Sequence, residues 1–94
     1  MKFICPLIVV DDIGVSRRFY EEVLGQRVLF DHGENVSFEG GFAIHLKSHF
    51  AGLVDVDVNE IINKANSFEL YFETDDFELL IQKLKETDVE YVHP

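Results

Sequence analysis

Cysteine is nearly absent from this chain. Cys5 stands alone among 94 residues, so no internal disulfide framework can form. Basic residues are scarce as well. Eight Lys and Arg face eighteen Asp and Glu, for a net charge of −10. A nucleic-acid binder needs a basic face to displace counterions from phosphates, and this balance supplies none. An anionic membrane surface is disfavoured for the same reason. No apolar run reaches the length of a membrane span. Met1-Lys2-Phe3 lacks the charged and apolar regions of a signal peptide, which points to the cytoplasm. Walker loop, dinucleotide fingerprint and nucleophile elbow are all missing. Gly40-Gly41 is placed between two strands, with no helix N-terminus to cradle a phosphate.

What is present is a core-forming pattern. Hydrophobic residues make up 47% of the chain and include nine Phe and three Tyr, the composition of a globular domain. At this length about 60–65% of the unfolded surface is buried on folding, which leaves stability marginal and makes a partner subunit plausible. Phe3 to Val10 is a dense, β-branched run that predicts a buried strand, with Pro6 near its start or at a sheet edge. Asp11 or Asp12 can cap the helix that follows, predicted over Ser16 to Leu24 and stopped by Gly25. Strands are predicted over Gln26 to Phe30, Val36 to Glu39 and Phe42 to Lys47. Turns at 31–35 and at Gly40-Gly41 separate them. The order is β-α-β-β-β over residues 1–48.

Residues 49–66 form a connector, with a short strand predicted over Leu53 to Val58 and a helical turn from Asn59 to Asn66. Asp55-x-Asp57-x-Asn59 has the opening spacing of a calcium loop. Glu60 occupies the position that needs glycine, and Asn66 the position that needs a bidentate Glu, so a solvated acidic connector is the better reading. Ser67 to Thr74 alternates and predicts a fifth strand. Asp75 or Asp76 caps a helix whose Phe77, Leu80, Ile81 and Leu84 form an amphipathic stripe. Val89 to Val92 begins a sixth strand.

One corner occurs twice. Val10-Asp-Asp-Ile13 and Thr74-Asp-Asp-Phe77 overlay at a spacing of 64 residues, each between an apolar strand and a helix. This is the mark of a duplicated module. The second copy, residues 67–94, is β-α-β and lacks counterparts to the strands near residues 36 to 47. Two more strands would be expected after Pro94, unless another chain supplies them.

These residues resemble the vicinal oxygen chelate family, the glyoxalase, bleomycin-resistance and dioxygenase group. Residues 10 to 25, with Phe19-Tyr-Glu-Glu-Val-Leu-Gly25, look like its first strand–helix corner. Leu70-Tyr-Phe-Glu-Thr-Asp-Asp-Phe77 looks like the opening of its second module. The resemblance implies an α+β fold: one βαβββ module and an incomplete second one, completed or rearranged in a homodimer around a shared cavity. In metal-dependent members the ligands sit on inner strand faces. By resemblance those positions are Cys5, His45 and Glu69 here. The usual residues at the three positions are His, a carboxylate and His, so all three identities differ.

Strand alternation groups Cys5, Leu7 and Val9; Ala43, His45 and Lys47; and Glu69, Tyr71 and Glu73. By resemblance these line the cavity. Leu7, Val9, Tyr71 and Glu73 are then the substrate-binding candidates, with Tyr71 and Glu73 suited to an aromatic or cationic ligand. Cys5, His45 and Glu69 make a soft-plus-hard donor set for zinc, nickel or cobalt. Each also has an ordinary role open to it, as a small buried hydrophobe, a hydrogen-bonded histidine and a solvated carboxylate. His32, His49 and His93 read as surface residues. Three functions follow. The first is a bleomycin-resistance-like protein that binds a small molecule with no cofactor. The second is a metal-dependent lyase or isomerase resembling glyoxalase I, with Glu69 as candidate base. The third is a truncated interaction protein without cavity chemistry, held together through unpaired strand edges.

Overall fold

The structure is a computed structural model that describes residues 1–64 and 68–87. Four strands form one mixed sheet: β1 Leu7–Val10, β2 Val28–Asp31, β3 Asn35–Phe38 and β4 Phe42–Leu46. Their spatial order is β1-β4-β3-β2. β1 runs parallel to β4, while β3 is antiparallel to both β4 and β2. Both reversals are tight. Gly33 (φ 84°) lies in the first and Gly41 (φ 95°) in the second, a backbone region that a Cβ disfavours. The predicted β-α-β-β-β order is observed. β1 is shorter than expected, because the ladder to β4 begins at Leu7 and Phe3 to Pro6 lie outside it.

Helix α1, Ile13–Arg18, starts three residues earlier than predicted and passes into a π-helical turn over Phe19–Val23. Asp12 caps it, its carboxylate accepting from the Val15 amide at 3.0 Å. Gly25 ends the segment with φ 64°, the left-handed stop that the sequence predicts. Arg17 ties the helix to the sheet, paired with Glu21 at 2.7 Å and with Asp31 on β2.

Pleating divides the sheet into two faces. Val10, Val36, Phe38, Phe42 and Ile44 form the core under α1 and the π-turn, with Ile8, Ile13, Tyr20 and Val28 packed against them. Phe38 and Phe42 stack at 4.9 Å, and Tyr20 meets Phe42 edge-on at 5.2 Å. Burial of a side chain such as Phe38 or Ile44 stabilises by about 1.5–3 kcal/mol. The opposite face carries Leu7 and Val9 of β1, aligned with Ala43 and His45 of β4 and with Ser37 and Asn35 of β3.

Beyond β4 the structure departs from expectation. Helix α2, Lys47–Leu53, directly follows β4 where a connector was predicted, and buries its own Ala51. Residues 53–58 form no strand. Asp55, with φ 57°, breaks the run, and a 3₁₀ turn follows at Val58–Glu60. Residues 68–74 form no strand either. Alternation shows that a segment fits a pleated surface, but a strand also needs a partner ladder, and the described residues offer none. Phe72 instead meets Phe42 edge-on at 6.1 Å. Helix α3, Phe77–Glu86, forms as predicted. Asp76 caps it, accepting from the Leu79 amide at 3.0 Å, the same device as Asp12 at the first corner. The predicted sixth strand lies outside the described residues.

Candidate functional site

The candidate site is the sheet face opposite α1. Its floor is set by strand parity, which turns Leu7, Val9, Ala43 and His45 to one side. Its wall is built by chain that follows β4. Leu7, Ile8 and Val9 line a cleft of about 240 Å³ together with Phe50 of α2, Ile61, Ile62, Asn63 and Phe68. The lining side chains are apolar but for one, with backbone polar groups exposed between them. Asn63 is the exception, and its amide is engaged, donating to the Val9 carbonyl at 3.3 Å and the Asp11 carboxylate at 3.2 Å.

His45 sits at the end of this face and is 6% exposed, the one charged or polar residue in the buried set among the described residues. Its Nε2 lies 2.8 Å from Nδ1 of His49, one turn into α2. The Phe50 ring stands edge-on to His45, with centroids 5.7 Å apart. Burial, and secondarily the neighbouring His49, holds the His45 imidazole below its ordinary value of 6.5, against an opposing pull from Glu34. One ring must donate and the other accept, so at least one of the two is neutral.

The sequence-predicted site residues separate into three places. Leu7 and Val9 line the cleft. Glu73 lines a different groove, between the π-turn and α3, with Leu24, Phe72 and Lys83. Tyr71 is 81% exposed and Glu69 is exposed too, so neither is gathered with Leu7 and Val9. Cys5 is half-buried and free. Cys5, His45 and Glu69 do not converge. Among the described residues, no three His, Cys, Asp or Glu side chains are placed to share a metal ion, and the described donors of one chain therefore do not fit the metal of the lyase members. His49, read as a surface residue, is exposed as expected; sequence reasoning missed its contact with His45, and it missed Phe50. No periodic signal pairs the two histidines, because His45 lies near the end of a strand and His49 on the helix that follows it.

Residues 3–94 match the family of the glyoxalase-like domain, and the chain belongs to that family, within the vicinal oxygen chelate group. The crystal structure of a protein of unknown function from Agrobacterium tumefaciens str. C58 is similar over all of this chain and 74% of that one, at 35% identity and a TM-score of 0.81. No curated protein matches the sequence. Among the described residues, no helix is long and apolar enough to cross a membrane.

Proposed function

We propose that this glyoxalase-like protein binds a small molecule on the sheet face bearing Leu7, Val9 and Ala43, without a metal ion. The observation that carries the reading is the cleft over Leu7 and Val9, walled by Phe50 and Phe68. An apolar concavity with aromatic walls and few polar groups is the usual form of a small-ligand site. The net charge of −10 favours a neutral or cationic compound over an anion, and Phe50 and Phe68 suit an aromatic one. The scattered positions of Cys5, His45 and Glu69 favour this over the lyase reading. They leave Glu69 an exposed carboxylate rather than a base aimed at the cleft.

We further infer a homodimer in the cytoplasm. Phe3 is 81% exposed and Ile4 74%, beside the β1 edge of the sheet. Apolar surface next to an open strand edge favours association. Light scattering at micromolar concentration is expected to give twice the chain mass, and a monomer would contradict this part.

Calorimetric titration of the untagged protein with zinc, nickel and cobalt tests the metal-free reading. No saturable binding is expected. Tight binding near one ion per chain or per dimer, lost in Cys5→Ala, His45→Ala or Glu69→Ala, would put the lyase reading first.

A further inference from the structure

Asp11 holds both ends of the chain segment that walls the cleft. Its Oδ1 lies 3.9 Å from Lys47 Nζ, at the start of α2, and its Oδ2 lies 3.2 Å from Lys64 Nζ. Asn63 adds its donation to the same carboxylate at 3.2 Å. Residues 47–64 therefore leave β4, pass over the sheet face and return to the corner between β1 and α1. Their underside is apolar. Phe50 and Ile61 are half-buried where they line the cleft with Leu7 and Val9, while Ile62 stays 80% exposed.

The fastening and the cleft differ in strength and size. Asp11 and Lys64 are solvent-exposed, at 49% and 83%, and exposed ion pairs contribute little and are screened by salt. With the segment in place the cleft is about 240 Å³. Ligand sites usually occupy about 300–1,000 Å³. A ligand larger than this would extend into solvent or displace the wall, and the wall is fastened by contacts weak enough to release.

We propose that residues 47–64 are a strap that gates the sheet-face cleft, with Asp11 as its clasp. This rests on the reading of that face as a ligand site, but the gate itself can be tested with no ligand. In the full chain carrying Cys5→Ser, a Val9→Cys substitution places a thiol in the cleft. Its rate of modification by iodoacetamide reads strap opening. Asp11→Asn and, separately, Lys64→Gln are then added, and amide exchange of Val36 and Phe38 on β3 is followed in parallel. The expected result is labelling faster by roughly three- to tenfold in both variants, the range that one or two exposed ion pairs and a hydrogen bond allow, with exchange on β3 unchanged. Unchanged labelling in both variants would overturn the proposal. So would labelling and β3 exchange rising together, because the clasp would then stabilise the whole domain instead of closing a gate. Failure of the chain to bind any compound would sink the ligand reading and leave these rates as they are.

Discussion

His45 Nε2 and His49 Nδ1 lie 2.8 Å apart, joining the buried end of β4 to the first turn of α2. The pair explains how a histidine is tolerated at 6% exposure on an otherwise apolar strand, since a buried polar group without a partner is costly. His49→Ala would leave a buried imidazole nitrogen without its partner, and the variant is expected to lose about 1–3 kcal/mol. Urea denaturation checks this.

The same pair makes stability pH-dependent. The folded His45 is held below its ordinary value of 6.5, by burial first and by His49 second. The unfolded chain therefore takes up this proton at higher pH than the folded chain. The stabilisation is fully present above pH 6.5 and is lost as pH falls from there through the lowered folded value. Denaturation midpoints measured between pH 8 and pH 5 are expected to decline across that window. The decline should shrink in His45→Asn.

A second titration concerns the strap. Asp11 is held below its ordinary value of 3.8, through its hydrogen bond from Lys64 first and that from Asn63 second, with Lys47 adding attraction. Its contribution is present above about pH 3.8 and is lost as pH falls through the lowered value. Amide exchange within residues 58–64, corrected for intrinsic rates, is expected to lose protection in that acidic range and also in high salt. Asp11→Asn should show neither dependence.

The two corners offer a controlled comparison. Asp12 and Asp76 each accept from the amide three residues on, both at 3.0 Å. Removal of such a cap costs about 0.5–2 kcal/mol of helix stability. Asp12→Ala is expected to lower the global unfolding free energy by about 1 kcal/mol, since α1 covers the core formed by Val10, Phe38 and Ile44. Asp76→Ala should act mainly on α3, whose described residues include none that are buried. Circular dichroism melts and amide exchange of α3 would separate the two effects.

The legible parts of this fold are those governed by local rules. Alternation in Phe42 to Leu46 and the paired apolar residues of Asn35–Phe38 place one face in the core, and a slip of one residue would invert it. Asp12, Gly25 and Asp76 mark helix ends through their own side-chain and backbone chemistry. Helix α2 was not legible. It has no side-chain cap, contains Gly52, and is held by Ala51 and by His49 against a strand that ends only at Leu46. Residues 68–74 misled in the opposite direction, because alternation around Leu70 and Phe72 cannot announce whether a neighbouring strand exists.

For the site, Leu7 and Val9 followed from parity alone. Tyr71 and Glu73 did not join them, because their placement depended on a ladder that these residues do not form. The wall of the cleft, Phe50, Ile61 and Ile62, came from a segment that reads as an acidic connector. The role of Asp11 was hidden for the same reason. Its partners Lys47 and Lys64 are far along the chain and carry no motif.

The most direct test of the central claim is an amide NMR titration with a panel of aromatic cations, performed in EDTA and repeated with zinc. Saturable shifts at Leu7, Val9, Ala43 and Phe50, present in EDTA and unaltered by zinc, are the predicted result. Shifts that appear only with zinc, or no saturable shift on this face with any compound, would contradict it.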